Sequence, residues 1–123
     1  MPVTVNRTEG CRAEITWEPQ DDMQGYLVQS IDNERLAYAL ESLGASQAGL
    51  NEPTASEDYA LSQASATAYL AQLLERRAAV QVVQLREHYG LSWRRIAVHL
   101  FDDAAKQSSV RRMYEAGRRH LGT

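Results

Sequence analysis

A chain of 123 residues, 44% of them apolar and 24% charged, is long enough for one compact soluble domain or for two small units that share a core. No apolar run approaches the roughly 18 residues that span a bilayer. The opening MPVTVNRTEG has no basic segment followed by an apolar one, so neither a membrane span nor a signal peptide is expected. The single cysteine, Cys11, excludes an internal disulfide and fits a reducing compartment, so a cytoplasmic protein is expected.

The net charge of −3 conceals a division. Residues 1–75 hold three basic side chains (Arg7, Arg12, Arg35) against twelve acidic ones, a charge of −9. Residues 76–123 hold ten basic side chains against Glu87, Asp102, Asp103 and Glu115, a charge of +6. A basic half can meet phosphates while the acidic half stays clear of them or folds back upon the basic one.

In chain order, Val3 and Val5 share one face of a candidate strand. Cys11, Ala13, Ile15 and Trp17 share one face of a second, which makes Cys11 a small buried hydrophobe. Gly10, between them, can take the positive φ of a tight turn, so a β-hairpin is expected. EPQDDMQG reads as loop and YLVQSI as a weaker third strand. DNERLAYALESLG reads as a short helix capped by Asp32 or Asn33, with Leu36, Ala39, Leu40 and Leu43 on one face and Gly44 at its end.

ASQAGLNEPTAS is turn-rich and marks the candidate boundary between a unit at 1–50 and a unit at 54–123. Thr54 and Glu57 match a capping box. From there to about His88 nothing breaks a helix, and Leu70, Leu73, Leu74, Ala78, Val82, Leu85 and Tyr89 form a stripe expected to be buried. Gly90 ends this helix and Ser92 caps the next, whose apolar side is Leu91, Trp93, Ile96, Ala97 and Leu100. After FDD a last helix runs to about Leu121. Its apolar face is Val110, Met113, Tyr114, Gly117 and Leu121, and its polar face carries Ser108, Arg111, Arg112, Glu115, Arg118 and Arg119. The fold class expected is α+β, mainly α.

These last residues carry a resemblance. GLSWRRIAVHL resembles the first helix of a bacterial helix-turn-helix, of the type in region 4 of sigma factors and in many small phage and actinobacterial regulators. That family has a Gly-Leu-Ser-aromatic opening, an Ile-Ala pair and a Leu before the turn; Gly90, Leu91, Ser92, Trp93, Ile96, Ala97 and Leu100 match. The resemblance covers about 35 residues. It implies that the following helix enters the major groove of duplex DNA, with Lys106, Gln107, Ser108, Ser109, Arg111 and Arg112 as candidate contacts. Arg94, Arg95, Arg118 and Arg119 join them as cations on the outer sides, suited to phosphate forks and bidentate guanine contacts. Phe101-Asp102-Asp103 depart from the family, which has a glycine and a short turn there. The spacing from Ile96 to Val110 is about three residues longer than usual, so either the turn is longer or the last helix starts at Asp102. Upstream, VTVNRTEG, CRAEITW, YLVQSI and NERLAYALESL are similar to a HicB-like antitoxin unit, which implies a dimerising or partner-binding half.

The expected function is that of a DNA-binding transcriptional regulator, repressor or antitoxin-like, acting as a homodimer on double-stranded DNA. Its N-terminal half is free to bind a protein partner. The alternative is a phage or mobile-element protein that inhibits a partner through its acidic half without binding DNA. A third reading has residues 1–50 covering the basic face. Trp93 and Tyr114 read as core. His88, His99 and His120 lack metal-ligand spacing. No Gly-rich phosphate loop, GxSxG or paired carboxylates appear, so no enzyme and no cofactor is expected.

Overall fold

The computed structural model describes residues 1–45 and 56–122. It is mainly helical with a small N-terminal antiparallel sheet, the expected class. The chain divides into two compact units, Met1–Thr67 and Ala68–Thr123. The division falls inside the long helix rather than in the turn-rich connection. That connection, with Thr54 of the expected capping box, lies mostly outside the described residues.

In the first unit β1 (Thr4–Glu9) pairs with β2 (Arg12–Thr16), with Val5 opposite Ile15 and a register shift between Arg7 and Glu9. Gly10 takes φ +47° at the turn, as its position requires. Cys11 belongs to this turn and is exposed, not buried on a strand face. Two strands make no inner layer by themselves, and among the described residues Cys11 and Ala13 are left exposed on the face that carried the expectation.

EPQDDMQG contains a 3-10 turn over Pro19–Asp22. YLVQSI is not a strand but the body of α1 (Tyr26–Asp32). The cause is local. The Asp22 carboxylate accepts from the Leu27 and Val28 amides at 2.9 and 3.0 Å, satisfying first-turn donors that a strand would need to pair elsewhere. α2 (Arg35–Gly44) follows, with the Asn33 side chain accepting from the Arg35 amide. Its half-buried positions are Arg35, Leu36, Tyr38, Ala39 and Ser42; Leu40 and Leu43, expected on the covered face, are exposed. Tyr38 meets Tyr59 edge to face at 5.5 Å. The Tyr59 hydroxyl donates to Glu41, and this hydrogen bond pushes the phenol pKa up to about 12.

α3 (Glu57–Glu87) is the expected long helix; Ser56 caps it by accepting from the Tyr59 amide. In the second unit, its buried stripe is Ala79, Val82 and Val83, with Leu73, Ala78, Val80, Leu85 and Arg86 half-buried. Leu74 and Tyr89, expected in the stripe, are 66% and 71% exposed. Gly90, at φ +63°, turns the chain; the Leu91 amide bonds the Leu85 carbonyl, and Arg86 Nη1 donates to the Leu91 carbonyl.

α4 (Trp93–Phe101) starts at Ser92, whose hydroxyl accepts from the Arg95 amide at 3.1 Å, as the sequence requires. Residues 102–106 form the turn, so the longer spacing goes into the turn and α5 begins late, as Gln107–Leu121. Asp102 takes the left-handed conformation, φ +53°, and closes α4 through its amide to Val98. Asp103 caps a 3-10 turn over Ala104–Lys106 by accepting from the Ala105 amide. Both aspartates that break the family pattern thus act as local stops and caps.

The core of this unit is Val82, Ile96, Ala97 and Val110, with Leu85, Leu91, Trp93, Met113 and Tyr114 packed around it. Leu100 and Leu121 are exposed instead. At about 1.5–3 kcal/mol for each large apolar side chain buried, this cluster is the main force that joins α4 and α5 to the end of α3. Gly117 completes the join. A Cβ built on it would lie 2.4 Å from the Ala79 carbonyl oxygen and 2.7 Å from Val83 Cγ2, so α3 and α5 touch along a glycine-sized gap.

Candidate nucleic-acid interface

The basic charge belongs to one unit. Residues 68–123 carry ten basic and five acidic side chains, a charge of +5, whereas residues 1–67 carry three and eleven, a charge of −8. Within the second unit, α5 has two distinct sides. Val110 and Gly117 point inward. Ser108, Arg112, Glu115 and Arg119 recur at steps of four, three and four on the opposite side, and all are exposed. Arg111 lies on one flank of that side and is also exposed, as are Arg94 and Arg95 on α4 and Lys106 at the mouth of α5. Among the described residues, none of Arg94, Arg95, Lys106, Arg111, Arg112 and Arg119 forms an ion pair.

The other candidate contacts are engaged inside the unit. Gln107 is half-buried and its side chain donates to the Ala104 carbonyl. Ser109 is half-buried and accepts from Arg112. Arg118 is half-buried. Its guanidinium pairs with Glu87 at the end of α3 and donates to the Tyr114 hydroxyl, which in turn donates to Glu87. Arg118 therefore ties α5 to α3. Arg119, next to it, points out.

The Tyr114 hydrogen bond, aided by the Arg118 charge, holds the Glu87 carboxyl below its ordinary value of 4.5. A carboxyl with a depressed folded-state pKa contributes stability above its unfolded pKa and loses it as pH falls through the folded value. Glu87→Gln is expected to lower Tm at neutral pH, and the gap to the parent is expected to narrow as the pH falls below the ordinary carboxyl value and through the lowered folded one. A gap that stays constant with pH in a thermal-melt series excludes the carboxylate as its source.

Trp93 is half-buried and shares its ring among three neighbours. Tyr114 meets it edge on at 5.2 Å, the Arg86 guanidinium lies 4.3 Å from the ring centroid, and that of Arg111 lies at 5.5 Å. The expected core role of Trp93 holds, and the structure adds a second one that sequence spacing does not reveal. The ring restrains Arg111 at the flank of the exposed side, which reduces the rotamer freedom that residue must lose on binding an anion. Glu115, expected on the polar face, sits among the exposed cations and is the one acid of that side.

Among the described residues, no group of His, Cys, Asp and Glu has the arrangement of a metal site, and no helix is long and apolar enough to cross a membrane. Comparison of the chain with known protein families, curated proteins and solved structures returns no match.

Proposed function

We propose that the chain is a sequence-specific, double-stranded-DNA-binding regulator of transcription. In this reading α5 enters the major groove, and the Met1–Thr67 unit supplies a homodimer contact or receives a protein partner. The observation that carries the reading is the two-sidedness of α5. One side is locked into a three-helix core. The other, with the neighbouring arginines of α4, presents six cations that form no ion pair among the described residues. Ser108, Arg111 and Arg112 lie near the start of α5, the part that would face base edges if the helix enters the groove. All six cations, Arg94, Arg95, Lys106, Arg111, Arg112 and Arg119, suit phosphates, which fix register without reading sequence. A dimer would read a palindrome.

The test is retardation of random-sequence duplex at several salt concentrations, followed by selection of the bound fragments. Six phosphate contacts give a slope near −5 in log K against log salt, so affinity is expected to fall about a thousandfold between 50 and 200 mM. A flat dependence, or selected fragments without a shared motif, rejects the reading.

A second reading is favoured by one observation on the first unit. Leu40, Leu43 and Leu61 are exposed on an acidic body, as a surface awaiting a protein partner would have them. Under that reading the chain captures a partner protein and binds no DNA, and the same retardation experiment separates the two.

A further inference from the structure

Beside the close approach of Gly117 to Ala79, the second unit holds a groove of about 610 Å³ between α3 and α5. Its size falls within the range of sites that bury a small organic molecule, roughly 300–1,000 Å³. Its composition is uneven. Ala79 is buried, Met113 and Ala116 are half-buried, and Phe101 reaches in from the end of α4, 40% exposed. These apolar groups form the floor. The rim carries Arg76 and Arg112 with a single acid, Glu75, and His120 supplies a further N–H donor. Neither Arg76 nor Arg112 forms an ion pair among the described residues, so Glu75 does not neutralise them. Arg112 is steadied at the rim by its hydrogen bond to Ser109 Oγ at 3.3 Å.

An apolar floor below two unneutralised guanidinium groups fits one chemistry. We propose that this groove binds a small organic carboxylate, with its anionic head on Arg76 and Arg112 and its apolar body over Met113, Ala116 and Phe101. A planar carboxylate matches the guanidinium fork, and burying the floor supplies the non-directional part of the affinity. A nucleic-acid phosphate meets the rim alone, because a phosphodiester has no apolar body to cover the floor.

Arg112 belongs both to this rim and to the exposed side of α5. A carboxylate seated in the groove neutralises a cation that DNA would otherwise use, so the two ligands oppose each other. By linkage, DNA weakens the carboxylate as much as the carboxylate weakens DNA. This coupling rests on the DNA-binding reading; occupation of the groove does not.

The experiment uses naphthalene-2-carboxylate, with its uncharged amide as the control, on the full-length protein. In amide-resonance titrations the acid is expected to give saturable one-site shifts centred on Ala79, Met113 and Ala116. The amide is expected to bind about tenfold more weakly, and Arg76→Gln to weaken the acid by about the same factor, which is one charge-assisted contact. Arg76 is exposed, so its replacement leaves the fold intact, and a circular-dichroism melt checks this. Equal binding of acid and amide, shifts elsewhere on the surface, or no effect of Arg76→Gln overturns the site. Adding the acid to a retardation assay tests the coupling. Specific carboxylate binding in a protein that retards no DNA keeps the site and removes the regulatory reading; DNA binding without carboxylate binding does the reverse.

Discussion

Gly117→Ala is expected to destabilise the second unit by about 2 kcal/mol, a fall in Tm on the order of 10 °C for a unit of this size. Helix propensity argues the other way, because alanine is favoured over glycine inside a helix by about 1 kcal/mol. Packing decides the sign. The added methyl would sit 2.4 Å from the Ala79 carbonyl oxygen and 2.8 Å from its carbonyl carbon, and those are backbone atoms of α3 that no rotamer change can clear. Val83 Cγ2, at 2.7 Å, is the only one of the three neighbours on a side chain. Relief therefore requires α5 to lift from α3, which loosens Val110 against Val82 as well. The same substitution at Gly44 provides the contrast. Among the described residues that glycine has nothing within 4 Å of a built Cβ, and it has no left-handed backbone, so Gly44→Ala is expected to be neutral or stabilising by up to about 1 kcal/mol. Paired thermal melts of the two variants check the difference. If Gly117→Ala melts at or above the parent temperature, the close approach of the two helices is wrong.

The features legible in the sequence are those whose causes lie within a few residues. Gly90 and Ser92 are set by backbone conformation and by one amide three residues on, and both stand where the sequence places them. The hairpin turn at Gly10 is of the same kind. YLVQSI misleads because its β-branched and aromatic residues suit a strand equally well; the deciding interaction is with the Asp22 carboxylate, outside the segment. The stripe of α3 is legible in the main, with Leu70, Leu73, Ala78, Val82 and Leu85 buried or half-buried, but its centre lies toward Ala79 and Val83 and leaves Leu74 and Tyr89 exposed. Two overlapping faces both contain Val82, one running through Leu74 and Ala78, the other through Ala79 and Val83. The choice between them is made by Gly117, nearly forty residues on, which admits a backbone only where α3 offers alanine. Arg118 shows the corresponding limit for charge. It is a cation on a polar-looking helix face until Glu87 of another element reaches it. A pattern along one helix cannot separate cations that are internally paired from cations that are not.

That separation is the basis of the second large effect. Arg111→Glu with Arg112→Glu is expected to lower affinity for duplex DNA at least a hundredfold at moderate salt, and to reduce the magnitude of the salt slope by about 2, one for each phosphate no longer neutralised. The expectation follows from what each side chain does in the free protein. Arg112 is exposed, and its hydrogen-bond partner among the described residues is Ser109. Arg111 rests on Trp93, so its reversal also removes a cation–π interaction of about 0.5–1 kcal/mol at an exposed site. A modest fall in Tm is thus expected and does not account for the weakened binding, provided the assay is run well below the transition. Arg118→Gln is the informative partner variant. It breaks the Glu87 tie and lowers Tm, yet the salt slope should stay near the parent's, because that guanidinium is engaged with α3. If instead Arg118→Gln reduces the slope and the double reversal leaves it unchanged, the interface lies on the wrong side of α5. If one of the two exposed arginines reads a base, its alanine variant will relax the selected motif at one position, at a cost of about 1–3 kcal/mol against the preferred base. The other will weaken all sequences alike. Comparing the two single variants on selected and random duplex therefore assigns each arginine its role and fixes the register of α5 on the groove.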